Sequence, residues 1–437
     1  MNDETLAILV GGGPAPGING VIASATIEAI NSGLRVIGLY DGYLHIAHGD
    51  ISHVRELTIE NVSRLHFTGG SYLRTSRTNP AKDDATLQRC IRSLFELGVR
   101  YVIAIGGDDT TYGAARIAAE TKGRLGIVTV PKTIDNDLPL PDNAPTFGFE
   151  TARTVGTGIL ENLMEDARTA SRWYLAVTMG RKSGALALGI CKAAGATLAV
   201  IPEEFGSEIL FDDVVDTICG SIIKRKQLGA DHGVAVIAEG IAERMDMQKF
   251  ESEHVTRDAY GHTRLADIPI GMMLRDAVRD RLAQTGLEST VVTKDIGYEL
   301  RCAKPVPFDV EYTRTLGYGA VRHLLAGGSG ALIALSGGHM VPVTLEELTD
   351  PTTGRIRVRL VDVTTESYEV ARKYMIRLER SDLEEPRLSR LAVQTTLSPQ
   401  EFAARFGRIA GDADYRVRDG SLRGRAPLHA RESGRAG

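Results

Sequence analysis

The segment richest in residues that could do chemistry is a short polar loop at residues 131–137, which reads Pro-Lys-Thr-Ile-Asp-Asn-Asp. It follows an apolar run, residues 125–130, with the length and β-branched content of a buried strand. A carboxylate such as Asp135 can act as a general base, and a cation such as Lys132 can stabilise a phosphoryl group during transfer. A solvated polar loop is the alternative, but it leaves unexplained a second acidic motif one strand earlier.

That second motif occupies residues 106–110 and reads Gly-Gly-Asp-Asp-Thr after the apolar residues 99–105. A carboxylate here, Asp108, could hold Mg²⁺ that bridges phosphates. Aspartate is also common at the start of a helix, where it favours the positive end of the helix dipole. Two aspartates directly after two glycines favour a ligand site over a simple helix cap.

A third candidate is the glycine-rich loop at residues 11–20, Gly-Gly-Gly-Pro-Ala-Pro-Gly-Ile-Asn-Gly. Glycines allow the backbone to approach a phosphate, and the following helix offers its first amides. The loop has neither the Lys-Ser/Thr of a nucleotide-binding P-loop nor the GxGxxG spacing of a dinucleotide site. On its own it is equally compatible with a tight turn between strand and helix.

The elements that must position these loops alternate between strand and helix. The predicted strands are residues 6–10, 34–40, 99–105, 125–130, 173–178, 198–201 and 234–238, and two of the predicted helices are 21–32 and 85–97. This alternation is typical of α/β folds with parallel sheets. Ligands in such folds bind at the carboxyl ends of the strands, where the motifs fall.

Bulk composition restricts the partners. Lys plus Arg number 51 against 56 Asp plus Glu, a net charge of −5, which disfavours nucleic acid or an anionic membrane as the main partner. The four cysteines are scattered, which predicts reduced thiols in packed or half-packed positions. The N-terminus resembles no signal peptide, and no apolar run approaches the length of a membrane span. We therefore expect a cytoplasmic protein.

Taken together, the motifs resemble the 6-phosphofructokinase family. Besides the two acidic motifs, the matching residues are Asp41-Gly42-Tyr43, Met179-Gly180-Arg181, Pro202-Glu203, Glu239, Arg301 and residues 305–309, in unchanged order from about residue 6 to about residue 343. The Gly-Gly-Asp element also occurs in NAD and lipid kinases, but those lack the Thr-Ile-Asp-Asn-Asp loop.

The resemblance implies two Rossmann-like three-layer α/β/α domains with mainly parallel sheets. Residues 1–146 with about 300–345 would bind the donor and Mg²⁺, and residues 147–299 would bind the sugar phosphate. Residues 346–405 would form a helical C-terminal extension that covers the body. Residues 406–437, rich in Arg and Gly, are expected to be a flexible tail.

The resemblance also implies a role for each site residue. Asp135 would be the base for the sugar 1-hydroxyl, with Lys132, Asp137 and Arg181 also catalytic, and Asp108 would place Mg²⁺. The implied donor-binding residues are Gly12, Arg77, Asp109, Thr110 and Lys132, and the implied substrate-binding residues are Thr133, Asp135, Arg172, Met179, Gly180, Arg181, Glu239, Lys294, Tyr298 and Arg301. Some phosphate-binding arginines of the family come from a neighbouring subunit, which implies a homodimer or homotetramer with shared sites.

Two positions indicate that the donor is pyrophosphate. Members that use ATP typically have glycine where this chain has Asp109 and Lys132. The Asp109 carboxylate would repel a nucleotide phosphate about 4 Å away by roughly 4 kcal/mol at an effective dielectric near 20, or about a thousandfold. Lys132 would add a cation beside the shorter donor. The expected reaction is reversible, Mg²⁺-dependent phosphorylation of fructose 6-phosphate by pyrophosphate.

Other interpretations remain open on the sequence. Tyr298 stands where many ATP users have histidine, so the same chemistry could act on another acceptor, such as sedoheptulose 7-phosphate or a cyclitol. A noncatalytic homologue is a further alternative, although Asp108, Asp135 and Asp137 are all present. The helix after the first glycine-rich loop lacks the arginines that bind effectors in bacterial ATP users, so we expect no such regulation.

Overall fold

The computed structural model of the protein describes residues 4–245, 268–352 and 356–411. The strands in these residues are β1 (Thr5–Val10), β2 (Arg35–Leu39), β3 (Val54–Glu56), β4 (Val99–Gly106), β5 (Gly126–Pro131), β6 (Trp173–Thr178), β7 (Leu198–Val200), β8 (Gly233–Ala238), β9 (Val291–Ile296), β10 (Ala331–Ser336) and β11 (His339–Thr344). The α-helices are α1 (Ile18–Asn31), α2 (Ile59–Val62), α3 (Asp84–Glu96), α4 (Asp108–Thr121), α5 (Phe149–Ala170), α6 (Ala185–Ala194), α7 (Phe211–Gln227), α8 (Ile270–Gln284), α9 (Tyr298–Arg301), α10 (Pro307–Leu325), α11 (Leu345–Leu348), α12 (Glu366–Tyr374), α13 (Arg387–Ala392) and α14 (Pro399–Phe406).

The first sheet has the order β11-β10-β5-β4-β1-β2-β3, and only its two outermost strands run antiparallel to their neighbours. Side chains of β1 alternate between two cores, as expected for a strand covered on both faces. Leu6 and Ile8 enter the core built with α1 and α10. Ala7 and Leu9 enter the core built with α3 and α4. The predicted three-layer arrangement is confirmed for this sheet.

The second sheet has the order β7-β8-β6-β9, and all its pairings are parallel. Its strands share one apolar core with helices α5 to α8. Tyr368 of α12 and both Phe402 and Phe406 of α14 belong to the same core, so the C-terminal extension packs on this half of the chain. The prediction of mainly parallel α/β sheets with a helical extension is therefore confirmed.

The packed part of the chain extends beyond residue 405, where the flexible tail was expected to begin with Phe406. The Phe406 side chain is fully buried, and its ring lies 4.8 Å from that of Phe402, one helical turn earlier. Gly411 then pairs with Glu379. The sequence-based boundary was wrong because this aromatic pair lies next to a polar, Arg-rich stretch. The remainder of the predicted tail, residues 412–437, lies outside the described residues.

The cysteines are free, with Cys90, Cys191 and Cys219 buried and Cys302 exposed rather than packed. Among the described helices, none combines the length and apolar character that crossing a bilayer would require.

Candidate active site

Three loops of the first sheet meet at the carboxyl ends of β1, β4 and β5. The amide of Gly11 donates to the carbonyl of Ile105 at 2.9 Å, and the amide of Lys132 donates to the carbonyl of Gly106 at 2.9 Å. The Lys132 ammonium donates to the carbonyl of Gly13. Gly12 has a φ of +81°, and a Cβ atom there would lie 3.3 Å from the Lys132 Nζ. The glycine-rich loop therefore lies directly against the cation of the 131–137 loop.

Lys132 is a buried cation, with 5% of its surface exposed. The pKa of Lys132 is lowered to about 8, mainly by burial; Asp135 opposes this shift, and the positive charges of Arg301 and Arg77 contribute to it. The side chain is therefore still mainly protonated at neutral pH, and it presents its charge where little water competes for it.

Hydrogen bonds hold the 133–137 loop in a defined shape. The amide of Asp135 donates to the Thr133 hydroxyl at 3.1 Å, and the Thr146 hydroxyl donates to the Thr133 carbonyl at 2.7 Å. Asn136 adopts a left-handed conformation with φ of +57°, and its side-chain oxygen accepts the amide of Thr146 at 3.0 Å. The tight turn at Asn136 separates the two carboxylates of the loop, Asp135 and Asp137.

Asp135 lies between the two sheets and has the properties of a general base. Burial raises the pKa of Asp135 to about 6, and the nearby Glu239 raises it too. The backbone amide and the guanidinium of Arg181 oppose this shift, as does Lys132. A carboxylate with this pKa is ionised at pH 7 yet more basic than an exposed aspartate, as proton abstraction requires.

A cluster of carboxylates adjoins this base. Burial raises the pKa of Asp137 to about 7, and the negative charges of Asp135 and Asp108 add to the effect. Lys182 partly compensates: its Nζ lies 2.7 Å from the Asp108 carboxylate. Sequence reasoning missed Lys182, although it directly follows the Met-Gly-Arg motif. Clustered carboxylate oxygens are the ligands that Mg²⁺ prefers, so these residues fit a divalent cation.

The second sheet contributes the opposite wall. The amide of Gly180 donates to the Glu239 carboxylate at 3.2 Å, and the amide of Gly240 donates to the Gly180 carbonyl at 3.1 Å. A Cβ atom on Gly240 would lie 2.2 Å from the Arg181 carbonyl oxygen, so only glycine fits there. Arg181 forms an ion pair with Glu243 at 3.4 Å, a partner that sequence reasoning also missed.

Arg301 reaches the cleft from the short helix α9. Its Nε is buried and has no hydrogen-bond partner within the described part of the chain. Its guanidinium lies 4.6 Å from the centre of the Tyr298 ring, and a Cβ atom on Gly13 would lie 3.1 Å from its Nη1. Tyr298 itself is 65% exposed. A buried guanidinium nitrogen without a partner is suited to binding an anionic group.

Met179 lies at the end of β6 in contact with Gly297: a Cβ atom there would lie 2.8 Å from the methionine side chain. Thr110 is buried and packs against Gly11 and Gly106, which places its side chain beneath the loops rather than in the cleft. Asp109 is half-buried at the start of α4, and its amide donates to the Asp108 carboxylate at 3.0 Å.

One predicted substrate residue, Arg172, lies apart from this group. Arg172 precedes β6, whereas Met179 follows it, and a strand of this length separates them by roughly 20 Å. The Arg172 Nε lies 3.7 Å from the Asp166 carboxylate. Lys294 lies within β9, and its ammonium contacts Glu299 at 3.2 Å. Arg77 is exposed, next to the Ser76 that pairs with the glycine-rich loop.

Two parallel sheets with polar loops at their carboxyl ends define the chain as an α/β protein with a ligand cleft between the sheets. A solved structure described as a pyrophosphate-dependent phosphofructokinase from Marinobacter aquaeolei has the same fold, with a TM-score of 0.65 and 16% sequence identity over 85% of this chain and 90% of that one.

The sequence comparisons go further. Residues 5–324 match the family described as Phosphofructokinase. A protein named pyrophosphate--fructose 6-phosphate 1-phosphotransferase from Thermotoga maritima is 53% identical over 92% of this chain and 98% of its own length. A protein of the same name from Naegleria fowleri is 48% identical over 93% of this chain and 95% of its own length. The chain belongs to the phosphofructokinase family.

Proposed function

We propose that the protein transfers a phosphoryl group from pyrophosphate to the 1-hydroxyl of fructose 6-phosphate, reversibly, giving fructose 1,6-bisphosphate and phosphate. Two relatives that match this chain over most of its length are named for this reaction, which supports the proposal. The observation that carries the proposal is the placement of the buried Lys132 cation between the glycine-rich loop and the base Asp135.

The chemistry follows from the charges of the site. The Asp135 carboxylate takes the proton from the 1-hydroxyl while that oxygen forms a bond to the phosphorus of the donor. The bond between that phosphorus and the bridging oxygen breaks, and the leaving phosphate takes the electron pair. Lys132 and Arg181 neutralise charge on the donor oxygens, and the fixed loop hydrogen bonds keep this arrangement in place. In the reverse direction the same carboxylate, now protonated, returns its proton.

A divalent cation fits the carboxylate cluster, and we propose Mg²⁺. Asp108 would hold the ion. Asp137 would be close enough to share in the interaction, because the negative charge of Asp108 contributes to the raised pKa of Asp137. The ion would supply positive charge to the phosphates of the donor. Lys182 now neutralises Asp108 and would be free to contact a phosphate instead.

Donor choice is assigned to Asp109 and Lys132. Asp109 lies at the first turn of α4, one residue beyond the proposed metal ligand. A carboxylate there excludes the additional phosphate of a nucleotide by charge repulsion, and pyrophosphate lacks that group. The Lys132 ammonium compensates for the charge density of the short donor.

The acceptor side is assigned to the second sheet and α9. Met179, Gly180 and Glu239 would contact the sugar, with Thr133 nearby on the first sheet. The Nε of Arg301 would bind the 6-phosphate, with Tyr298 and Lys294 at the rim. Residues 1–146 with about 300–345 would mainly bind the donor and 147–299 mainly the acceptor, with Thr133 and Arg301 reaching the acceptor from the donor part.

Arg172 lies too far from this cleft to complete it within one chain. We assign it to the 6-phosphate site of a second copy, so the active protein would be a homodimer or homotetramer with shared sites. The protein would act in the cytoplasm on these two small anions.

The test is an assay of fructose 1,6-bisphosphate formation with pyrophosphate or ATP as donor, at matched free magnesium, with fructose 6-phosphate held fixed. We expect turnover with pyrophosphate and little with ATP. A second panel keeps pyrophosphate fixed and compares fructose 6-phosphate with sedoheptulose 7-phosphate and a cyclitol. Turnover with ATP but not pyrophosphate would refute the assignment of the donor.

A further inference from the structure

A segment of the C-terminal extension lies across the proposed catalytic loop. The Arg359 Nε donates to the Asn136 carbonyl at 2.9 Å, and its Nη1 donates to the Ala144 carbonyl at 2.7 Å. Its Nη2 donates to the side-chain oxygen of Asn136. The backbone amide of Arg359 donates to the Asp137 carbonyl at 2.7 Å. One residue of the extension therefore binds the turn at Asn136 and the backbone of Asp137 directly after it.

These contacts lie at the residue of the loop that has the least favourable backbone conformation. Asn136 has the left-handed φ of +57°, a conformation that costs free energy for any residue other than glycine. Asn136 and Asp137 are half-buried, and a carbonyl withdrawn from water requires a donor. The planar guanidinium supplies donors in a fixed arrangement, which a lysine ammonium does not.

The neighbouring residues of the same segment border the cleft. Val358 and Leu360 line a cavity of about 190 Å³ together with Arg181, Lys182 and Glu243. In an extended chain, alternate residues point to opposite sides, which explains why Arg359 reaches the loop while Val358 and Leu360 line the cavity.

The far end of the segment is anchored to the second sheet. The amide of Val361 donates to the Glu203 carboxylate at 3.0 Å, and the same carboxylate oxygen accepts the amide of Gly184 at 2.9 Å. Because Gly184 immediately precedes α6, the segment ties the loop of the first sheet to the body of the second.

We propose that Arg359 is a positioning residue for the phosphoryl transfer, acting through Asn136 to hold the Asp135 and Asp137 carboxylates in place, and that residues 358–361 of this segment are part of the active site. Arg359 lies beyond residues 5–324, the part that matches the family. The inference rests on the proposed function for its effect on turnover, but not for its effect on the loop.

The test compares Arg359→Ala and Arg359→Lys with the matched control Arg357→Ala. Arg357 belongs to the same segment, but its guanidinium donates to the Glu347 carbonyl within the extension and is exposed. We expect Arg359→Ala to lower kcat roughly 100-fold, as for a catalytic group misplaced by about 1 Å, with KM little changed. Arg359→Lys should recover only part of the loss, and Arg357→Ala should match the wild type.

Two further readouts separate positioning from general structural damage. Added guanidinium ion at a non-denaturing concentration should restore part of the kcat of Arg359→Ala, whereas urea at the same concentration should not. Hydrogen exchange at the amides of Asp135 and Asp137 should be faster in Arg359→Ala than in Arg357→Ala. In an active protein, an unchanged kcat of Arg359→Ala would overturn the inference.

The same experiment distinguishes the inference from the proposed function. If the wild type and Arg357→Ala turn over no substrate, the proposed function fails, while loop exchange still decides whether Arg359 positions the loop. If both turn over substrate and Arg359→Ala equals them, only the inference fails.

Discussion

Replacing Lys132 by methionine is expected to raise the stability of the fold and lower the activity at once. The ammonium is buried, and burial lowers the pKa of Lys132 from 10.5 to about 8. A tenfold change in proton affinity corresponds to about 1.4 kcal/mol, so the charged form costs ~3 kcal/mol of folding free energy at pH 7. Methionine has a similar length and removes this cost.

The gain is reduced by one lost hydrogen bond. The Gly13 carbonyl would lose the Lys132 donor, which costs about 1 kcal/mol. The net expectation at pH 7 is stabilisation by ~2 kcal/mol. The folded pKa lies below the unfolded one, so the cost applies fully below about pH 8 and disappears as the pH rises toward 10.5. The advantage of the methionine variant should therefore shrink above pH 8.

The effect on activity has the opposite sign. Loss of one preorganised charge beside the transferred group costs roughly 3–4 kcal/mol, or about 100- to 1000-fold in kcat. In the wild type, kcat/KM for pyrophosphate should fall above about pH 8, where Lys132 loses its proton. Lys132→Arg keeps the charge and should move this decline to higher pH.

The assay combines phosphate release from pH 6 to 10 with thermal unfolding of the same samples. Both substrates titrate as well, and dividing the wild-type profile by that of Lys132→Arg cancels their contribution. The reasoning is refuted if Lys132→Met melts below the wild type at pH 7, or if it keeps more than about a tenth of the wild-type activity.

Three further predictions concern the base, the donor and the assembly. Asp135→Asn should lower kcat by about 100- to 10,000-fold, and the wild-type kcat should fall below about pH 6, where Asp135 is protonated; an active asparagine variant would show that another group is the base. Asp109→Gly should raise the ratio of kcat/KM for ATP to that for pyrophosphate by at most about a thousandfold, since water partly screens a half-buried carboxylate; an unchanged ratio in steady-state assays with each donor would exclude Asp109 as the discriminator. Arg172→Ala and Asp135→Asn should each be nearly inactive alone, yet subunit exchange between them should restore turnover. Failure to regain turnover in verified mixed oligomers would mean that Arg172 serves no neighbouring site.

The central strands of both sheets could be predicted from the sequence because they are buried on both faces and read as continuous apolar runs. The prediction for residues 173–178 coincides with β6, and the others differ from the observed strands by a residue or two at an end. The edge strands β9 and β11 lack this signal. β9 carries Lys294 and Asp295 within its six residues, and β11 contains Pro342 on the outer edge of the first sheet, where the missing amide costs nothing.

The candidate site could be predicted only where its residues follow strands. The loops after β4 and β5 can be recognised from their aspartates and glycines, and the Met-Gly-Arg motif marks the end of β6. Lys182 and Arg359 gave no comparable local signal, because their partners are distant in sequence. The Lys182–Asp108 pair spans 74 residues, and the Arg359–Asn136 pair spans 223 residues. Contacts of this kind depend on how the sheets and the extension pack.

The charges of the cleft explain how one site can bind two polyanions and still hold a base. Asp135 and Asp108 repel Asp137, which adds to the effect of burial in raising the pKa of Asp137, and nearby cations offset part of this repulsion. Lys132 and Lys182 supply them from either side. Incoming phosphates compete with the carboxylates for these ammonium groups. When Lys182 leaves Asp108 to contact a phosphate, the Asp108 carboxylate loses its partner. That carboxylate then binds a divalent ion more strongly. Binding of donor and metal should therefore be mutually reinforcing, and Lys182→Met should weaken that coupling, because Asp108 then has no ammonium to release; metal affinity measured with and without pyrophosphate checks this.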